Sequence, residues 1–486
     1  MIRLISILLL AVLLFISCGS VNEGSQSSDT VKNNNDISTD ETVHVTELTG
    51  GIPDIDLNGT EFTIVYSADQ LGESWPYDAE TENGDLLNDS VYARNKAMLD
   101  RFNVSVVFHN VGGTGGEVSG ALINQVNAGD SAYGLGIAHT FSNVSNMVSN
   151  GYAADFKSLP YIDISKPWWN ATVGSNLEIC GTLPIGISDL VYSYADVIFV
   201  NNDLISNFSL DSPYDLTFDG RWTWTKLAEM AKAAAADLDG NGTYDQNDRY
   251  GFTFPGETVS LASRMIHSNG LMLAESDGGV IKLLAPSDRL QDVVERYYDL
   301  LYTGNQTYIG SKTDKLTSVQ LFNNGSALFM HQTTLQLPSM RETEVNFGVV
   351  PLPKYDEAQE NYSSMLSSQV LLIPVMDGAS LELSGMMTEA LSYESYKRII
   401  PAVYDSIFEN KYLRDSTSYE MYQQIRESLV CDMNWNYGNG NKITYVITNV
   451  VVGSKSTDVA SYLAAETPKV EAEFEALFEA IRAKQD

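Results

Sequence analysis

The order of strand and helix signals after residue 58 is the feature that most limits what this chain can fold into. Glu61–Tyr66 is rich in β-branched and aromatic residues, and residues 84–102 follow with apolar side chains at helical spacing. Val104–His109 is a second strand-like run, and Leu135–Ala138 is a short apolar run after Gly134. Signals that alternate in this way predict parallel strands with helices on the faces of a sheet. The sequence therefore predicts an α/β fold.

The same pattern continues through the rest of the chain, which at 486 residues is long enough for two domains. Further strands are predicted at Asp196–Val200, Ala327–Met330, Phe347–Val350 and Val370–Pro374. Near the C-terminus, Thr467 and Pro468 form a typical pair of helix cap and first-turn residue. We therefore expect the last helix to begin there.

The charge balance excludes some classes of partner. The sequence has 29 Lys and Arg against 63 Asp and Glu, a formal net charge of -34. A field of this sign repels nucleic acids and anionic lipid surfaces, so we expect no nucleic-acid partner. The sequence contains neither an HExxH nor a GxSxG motif. We expect a protein without enzymatic activity.

The N-terminus has the features of a bacterial lipoprotein. Arg3 precedes the apolar run Leu4–Ile16, which is short for a membrane span, and residues 1–18 are predicted to be a signal peptide. The run ends in Phe-Ile-Ser-Cys-Gly, which resembles a lipobox with Cys18 as the lipidated residue. Residues 19–57 are mostly polar and predict a flexible tether. An ordinary signal peptide or an uncleaved anchor is the alternative.

Residues 237–248 have the spacing of a calcium-binding loop. Oxygen-bearing side chains occupy loop positions one, three, five, nine and twelve, and Gly242 stands at position six, where the loop turns sharply. The predicted ligands are Asp237, Asp239, Asn241, Thr243 through its carbonyl, Asp245 and Asp248. Position twelve is Asp rather than Glu, and no clear amphipathic helix follows. The alternative is a turn-rich loop that ends the preceding helix. Either way, the expected role is structural.

Of the three cysteines, two remain after Cys18. Cys180 and Cys431 form either a disulfide or two buried thiols, and the sequence leaves both possibilities open. So few cysteines exclude a scaffold held together by disulfides.

Several short motifs occur in an order typical of one family. They are Glu82–Asn95, Phe199–Leu204, Trp222–Trp224, the loop that ends in Tyr250–Phe252, and Phe347–Lys354. They resemble, in order, a first helix, a "YNKDL" step, a "TW-x-E-L" helix entry, a calcium-type loop and a "GV-x-P-x-P" strand. Together with the lipobox and tether, they resemble the bacterial extracellular solute-binding proteins of family 1. These are sugar-binding lipoproteins of ABC transporters, and the similarity is to their clostridial type.

The resemblance implies a two-lobed, periplasmic-binding-protein-like α/β fold of type II, with lobes joined by crossing hinge strands. Lobe 1 would comprise residues 58–190 plus 366–412, and lobe 2 residues 191–365 plus 413–486. It also implies a function. The protein would capture a carbohydrate, specifically an oligosaccharide, in the interlobe cleft and deliver it to an ABC transporter permease. It would act as a monomer, lipid-anchored on the extracellular face of the cell membrane.

A sugar site needs aromatic side chains for the apolar ring faces and polar side chains for the hydroxyl groups. Ligands of α/β proteins bind near strand ends, so we selected residues near predicted strand ends and crossings. The candidate ligand contacts are Trp75, Tyr77, His139, Phe141, Asp189, Tyr192, Tyr194, Glu257, His331, Gln332 and Trp435. The alternative for each is a surface-loop or core position. Trp224 lies on a regular helix face and is expected in the core.

Two other functions remain open. The first is a binding protein for a non-sugar solute such as a peptide or an anion. An anion site would need local arginines or helix N-termini to overcome the negative field of the protein. The second is a secreted enzyme that acts on glycans, for which the abundance of carboxylates is uninformative.

Overall fold

A computed structural model describes most of the chain from residue 51 onward. The tether predicted at 19–57 was drawn too long, because Ile52 is buried in the core and the N–H of Leu57 donates to the carbonyl of Phe102. The described residues are 51–67, 76–113, 116–140, 143–170, 176–191, 193–256, 259–277, 280–310, 316–340, 343–366, 369–403 and 416–485. Cys18 and the predicted signal peptide lie outside these ranges.

The described residues form strands and helices that alternate along much of the chain. The strands are β1 (Thr60–Tyr66), β2 (Val104–Asn110), β3 (Leu135–His139), β4 (Asp196–Asn201), β5 (Tyr250–Pro255), β6 (Ala274–Asp277), β7 (Val280–Leu283), β8 (Thr307–Gly310), β9 (Ala327–Thr333), β10 (Phe347–Pro351), β11 (Ser364–Met365), β12 (Gln369–Leu372) and β13 (Leu429–Val430). The helices are α1 (Leu86–Phe102), α2 (Gly116–Ala128), α3 (Val144–Ser149), α4 (Asn202–Asn207), α5 (Pro213–Phe218), α6 (Trp224–Ala234), α7 (Val259–Ser268), α8 (Asp288–Tyr302), α9 (Ser318–Asn323), α10 (Gly378–Glu394), α11 (Ser416–Glu427), α12 (Met433–Tyr437) and α13 (Val459–Gln485). All strands predicted from the sequence are present.

The first sheet has the strand order β12-β3-β1-β2. Strands β1, β2 and β3 are parallel, as predicted, whereas β12 runs antiparallel to β3. Helix α1 begins at a well-capped end, because the Asp85 carboxylate accepts the N–H groups of Leu87 and Asn88. Its C-cap is Asn103, in the left-handed conformation at φ 53°. Local sequence signals therefore define this helix at both ends.

The second sheet has the order β10-β4-β9-β5-β8. Strands β9, β5 and β8 are parallel, while β4 runs antiparallel to both of its neighbours. Helix α6 packs on this sheet. Its N-cap Thr223 accepts the N–H of Lys226, and Trp224 is buried as predicted. Both sheets are thus mixed rather than parallel throughout. The chain enters the first sheet on β12 and the second on β4, and each of these strands runs antiparallel to the strands that it pairs with.

Three segments of the chain meet where it passes between the two sheets. The N–H of Asp196 donates to the Ser364 hydroxyl, which in turn donates to the carbonyl of Asp196. Ser364 also donates its N–H to the carbonyl of Ser428, and the short strands β11 and β13 are parallel. The crossing is therefore held by hydrogen bonds among residues that are far apart in sequence.

The last helix begins earlier than predicted. Helix α13 runs without interruption over Val459–Gln485 and contains Pro468 in its interior. Asp458 Oδ1 accepts the N–H of Ser461, so the first turn is capped upstream of the predicted Thr467–Pro468 start. Pro468 is exposed, and a proline at an interior helix position removes one backbone hydrogen bond. The predicted start was wrong because an upstream cap was overlooked.

Helix α13 contacts a segment distant in sequence near each of its ends. Near its start, the Tyr462 hydroxyl donates to the carbonyl of Lys442. At its end, Gln485 Nε2 donates to the carbonyl of Cys180 at 3.0 Å. Among the described helices, none is both long and apolar enough to cross a membrane.

Both described cysteines are free thiols, Cys180 half-buried and Cys431 buried. Burial raises the pKa of the Cys431 thiol. Of the two possibilities that the sequence left open, the disulfide is therefore not formed.

Candidate ligand-binding site

The carboxyl ends of the parallel strands meet at the crossing. In the first sheet, Tyr66 pairs with Asn110 and Ile137, so β1, β2 and β3 end at the same edge. In the second sheet, Pro255 pairs with Gly310, which places the ends of β5 and β8 together. Ligands of α/β proteins bind at such edges.

Two antiparallel strands bring these edges to the crossing. The first residue of β4, Asp196, pairs with Thr333 at the end of β9 and is hydrogen-bonded to Ser364. The first residue of β12, Gln369, pairs with His139 at the end of β3. Since Ser364 and Gln369 are close in sequence, the edges formed by the carboxyl ends of the parallel strands in both sheets border the same crossing.

A buried group of polar side chains occupies the second sheet's part of this region. Arg264 Nε lies 3.3 Å from Asp196 Oδ2, and the two side chains are 4% and 0% exposed. His331 Nε2 lies 3.6 Å from Asp196 Oδ1. The guanidinium carbon of Arg264 is 5.6 Å from the centre of a Trp435 ring, a cation–π contact. We call Asp196, Arg264, His331 and Trp435 the crossing cluster.

Local structure positions each member of the crossing cluster. Asp196 opens β4, and His331 lies in β9, the neighbouring strand. Arg264 lies on α7, the helix that follows β5. The carboxylate of Asp432 accepts the N–H groups of Asn434 and Trp435, and so caps the short helix that carries the indole.

The crossing cluster has hydrogen-bonding capacity left over. Neither carboxylate oxygen of Asp196 and neither ring nitrogen of His331 has a hydrogen bond with acceptable geometry within the described part of the chain. Buried polar groups in folded proteins are nearly always hydrogen-bonded. Asp196 and His331 are 0% exposed in this conformation, so a ligand hydroxyl would reach these atoms only after the lobes move apart. Their unused hydrogen-bonding capacity at the crossing makes the cluster the strongest candidate site.

Sequence reasoning identified His331 and Trp435 but missed Asp196 and Arg264. A signal for each was present. Asp196 is a charged residue directly before the apolar run Val197–Val200, and Arg264 directly precedes the apolar pair Met265 and Ile266 in a helix. A charge at a buried strand start or helix face needs a partner, so either residue could have been selected.

Three other predicted ligand contacts, at strand ends and in the crossing, are half-buried. His139 is half-buried at the end of β3, and Gln332 is half-buried beside His331, with its Oε1 accepting the N–H of Thr333. Tyr194 is half-buried in the crossing. Ligand contact by these residues stays a prediction. Trp75, Phe141, Tyr192 and Glu257 lie outside the described residues.

Tyr77 packs into the core of the first sheet and is 3% exposed. The centre of its ring lies 5.5 Å from that of Tyr66 and 6.4 Å from that of Phe108. Its carbonyl accepts a hydrogen bond from the guanidinium of Arg94. In this conformation Tyr77 offers almost no surface to a ligand.

Asp189 forms an ion pair with Arg426. Arg426 Nη2 lies 3.0 and 3.2 Å from the two carboxylate oxygens, and the pair lines a small cavity of about 30 Å³. Burial raises the pKa of Asp189 to about 6, and the arginine opposes this shift. The N–H of Asp189 donates to the carbonyl of Trp168. Asp189 therefore connects the crossing to α11, while its ligand contact stays a prediction.

The predicted calcium loop brings its carboxylates together. Oxygens of Asp237, Asp239 and Asp248 lie within 4.8 Å of one another. Asp237 accepts the N–H groups of Gly240 and Gly242, and these bonds lower the pKa of its carboxyl. A convergent set of carboxyl oxygen donors of this kind fits a hard cation.

The rest of the loop supports this arrangement. Gly242 has φ +78°, a conformation that glycine adopts without strain at the sharp turn. Asp248 is buried and accepts the N–H groups of Leu238 and Asp245, both at 2.8 Å. A two-way backbone pairing between Ala236 and Arg249 closes the base of the loop. The chain between α6 and β5 is thus a closed loop with acidic side chains on its inside.

Solved structures share this fold. A cyclo/maltodextrin-binding protein complexed with maltotetraose superimposes with a TM-score of 0.58 at 16% identity, over 87% of this chain and 97% of that one. A sugar transporter of Rhizobium etli in an open conformation gives 0.56 at 15% identity, over 87% and 99%. An ABC substrate-binding protein of Listeria monocytogenes in complex with cycloalternan gives 0.55 at 15% identity, over 86% and 100%.

These similar structures are of binding and transport proteins, not of enzymes. No protein-family model and no curated protein sequence matches this chain. Identities this low establish the fold alone. The chain has the two-lobed α/β fold of the substrate-binding proteins of ABC transporters.

Proposed function

We propose that this protein is the substrate-binding component of an ABC transporter and captures an oligosaccharide between its two lobes. The observation that carries the proposal is the crossing cluster, which lies where the ligand-binding edges of both sheets meet. A carboxylate, a guanidinium and an imidazole can hydrogen-bond sugar hydroxyls, and an indole can cover an apolar sugar face. The protein would bind its ligand without chemically changing it.

The similar proteins support an oligosaccharide over a monosaccharide. Two of these proteins bind oligosaccharides in their solved structures, maltotetraose in one and cycloalternan in the other.

In the proposed division, lobe 1 comprises residues 58–190 plus 366–412, and lobe 2 comprises residues 191–365 plus 413–486. The two separate sheets support this division, because β1, β2, β3 and β12 belong to the first sheet and β4, β5, β8, β9 and β10 to the second.

Transport would depend on rotation of the lobes about the crossing. The hydrogen bonds among Asp196, Ser364 and Ser428 give this region a defined geometry around which the lobes can turn. The ligand stabilises the closed form only through contacts that the open form lacks. Unsatisfied oxygens of Asp196 supply such contacts when a ligand hydroxyl reaches them. The closed form would then be the one that a permease recognises.

A thermal-shift panel tests the ligand class. The mature protein is heated with maltose, maltotetraose, a cyclic oligosaccharide or a tetrapeptide, each over a range of concentrations. We expect maltotetraose or the cyclic sugar to raise Tm, because a ligand at 100 times its Kd adds about 2.7 kcal/mol to the free energy of unfolding. A shift with the peptide alone would overturn the oligosaccharide proposal. Sugar released from a glycan on incubation would instead indicate an enzyme.

We also propose that Cys18 carries a lipid that holds a monomeric protein on the extracellular face of the membrane. Stable anchoring by this route needs more than one acyl chain. Expression of the full chain and its Cys18→Ser variant tests this. The unaltered chain should remain in the membrane fraction and the variant should not, and light scattering on the mature protein should give the mass of one chain. Equal membrane retention of both chains would contradict the anchor.

We propose that the loop of Asp237–Asp248 binds structural Ca²⁺. The ion would be held by the side chains of Asp237, Asp239, Asn241, Asp245 and Asp248 and by the carbonyl of Thr243. Ca²⁺ would replace repulsion among neighbouring carboxylates with attraction and so stabilise the loop. Chelation should lower Tm, and added Ca²⁺ should restore it. Asp239→Asn should weaken this response, whereas Asp211→Asn, outside the loop, should not. A Tm unaffected by chelation would contradict the proposal.

A further inference from the structure

The first half of helix α13 is attached to the second sheet's side of the molecule. Val459 and Leu463 are buried there, and the helix contacts α8, which leads into β8 of the second sheet. Directly before the helix, the carbonyl of Thr457 accepts a hydrogen bond from Gln291 of α8 at 3.1 Å. The start of α13 is therefore anchored to the second lobe.

The second half of α13 is attached to the first sheet's side. At its end, Gln485 Nε2 donates to the carbonyl of Cys180 at 3.0 Å, and the side chain of Lys484 packs on Gly151. This half also lies beside α3, the helix that follows β3 of the first sheet. Cys180 lies shortly before Gly186, whose backbone pairs with β12. A single helix therefore connects the two lobes.

Between its two anchored halves, α13 has a stretch without buried residues. Leu463 and Val470 are buried, whereas residues 464–469 are all exposed or half-buried. A helix that packs along one body buries a residue every three or four positions. The gap of about 10 Å between the buried residues therefore marks where the helix passes from one lobe to the other.

Pro468 weakens the helix within this same stretch. It lies inside the helix, and it has no N–H to donate to the carbonyl of Ala464, four residues earlier. Proline is one of the few causes of sharp bends in α-helices. The hydrogen bond that bending at this turn would break is therefore already absent.

We propose, on the basis of the lobe rotation in the proposed function, that α13 is a strap that joins the lobes and bends at residues 464–468 when they rotate. Because the helix bends there without losing a hydrogen bond, the lobes can separate while both ends of the strap stay attached. Separation is needed for ligand entry, since Asp196 and His331 are 0% exposed in the described conformation.

The substitution Pro468→Ala tests the strap in the mature protein. It restores the N–H and favours a straight helix, so the lobes should stay closer together without ligand. The radius of gyration from small-angle X-ray scattering should therefore fall. Association of maltotetraose, followed by stopped-flow tryptophan fluorescence, should slow about twofold to tenfold, the effect of one helical hydrogen bond that opening must now break. The variant should fold, since Pro468 is exposed.

Two control variants separate stiffness of the helix from other effects. Pro468→Gly also restores the N–H, but glycine is a poor helix former, so this variant should behave like the unaltered protein. Lys469→Ala removes an exposed neighbouring side chain and keeps the proline, and it should also leave both measurements unchanged. Equal changes in Pro468→Gly and Pro468→Ala would show that loss of the proline ring is responsible and would overturn bending at this turn.

The strap is also overturned if Pro468→Ala has the same radius of gyration and the same association rate as the unaltered protein. The scattering comparison needs no ligand, so it decides the role of the strap even when no oligosaccharide binds. Failure of the unaltered protein to bind any oligosaccharide would instead contradict the proposed function, and the comparison of the two radii would still stand.

Discussion

Arg264 Nε lies 3.3 Å from the carboxylate of Asp196, and the two side chains are almost completely buried where the chain crosses between its sheets. When one charge of a buried ion pair is removed, the other remains buried and uncompensated, which strongly destabilises the folded protein. The pair also presents carboxylate oxygens that lack hydrogen bonds. It is therefore both a structural element of the crossing and the best candidate for ligand contact.

Asp196→Asn should destabilise the protein by about 3–5 kcal/mol, because it removes the buried negative charge that lies 3.3 Å from the guanidinium of Arg264. Urea unfolding measures this change. The control is Asp211→Asn, whose carboxylate is 62% exposed and pairs with Lys226 at 2.8 Å. Exposed pairs contribute less than about 1 kcal/mol, so this variant should be nearly neutral. Equal effects of both substitutions would show that the Arg264 charge does not need Asp196.

Trp435→Leu should weaken maltotetraose binding about threefold to tenfold, since an aromatic face contributes about 0.5–1.5 kcal/mol beyond its buried area. Isothermal titration measures the affinity. The substitution also removes core packing, because Trp435 is buried. Phe474→Leu in α13 is the control, as it makes a similar loss of a buried aromatic ring elsewhere. If both variants bind maltotetraose equally well, Trp435 does not contact the sugar.

Glu389 should make the stability of the protein depend on pH. It is fully buried in α10, and its carboxylate oxygens accept the indole N–H groups of Trp168 at 2.9 Å and Trp169 at 2.7 Å. Burial raises its pKa from 4.5 to about 7, although the two indoles oppose the shift. The folded protein therefore retains a proton that the unfolded chain has already lost.

The sign of the effect follows from this difference in bound protons. The contribution of Glu389 is fully present below pH 4.5 and is lost as the pH rises through about 7. The total change is about 3 kcal/mol, at 1.36 kcal/mol per pKa unit. Glu389→Gln should remove this part of the pH dependence, measured by urea unfolding between pH 4 and 8. The control is Glu382→Gln, at an exposed site, which should keep the pH dependence of the unaltered protein. If the free energy of unfolding of Glu389→Gln depends on pH as strongly as that of the unaltered protein, Glu389 is not the source.

Pro468→Ala should stabilise the protein by about 1–3 kcal/mol. A proline inside a helix removes one backbone hydrogen bond and is about 3 kcal/mol less favourable than alanine. Pro468 is exposed, so the substitution leaves the core packing unchanged. The measurement is Tm by calorimetry, with Lys469→Ala as a nearly neutral control on the same exposed face. A lower Tm for Pro468→Ala would contradict this expectation and show that Pro468 stabilises α13.

Local sequence patterns were sufficient for the individual elements. The apolar runs at Glu61–Tyr66 and Val104–His109 predicted β1 and β2, and the polar residue Thr223 predicted the start of α6. Each of these signals depends on residues close together in sequence, so it can be recognised without knowledge of the tertiary structure. The alternation of such elements also predicted the α/β class. The start of α13 was missed because the signal of Asp458 is weaker in sequence than that of Thr467 and Pro468.

The relationships that define the site were decided by tertiary structure. The sequence by itself determined that Asp196 precedes an apolar strand and that Arg264 lies in a helix, but not that they meet. Their contact depends on β4 running antiparallel to β9 and on α7 packing beside the crossing. The position of Ser364 against Asp196 and Ser428 depends likewise on three distant segments. Such contacts arise from the register of strands and the packing of helices, which no local pattern encodes.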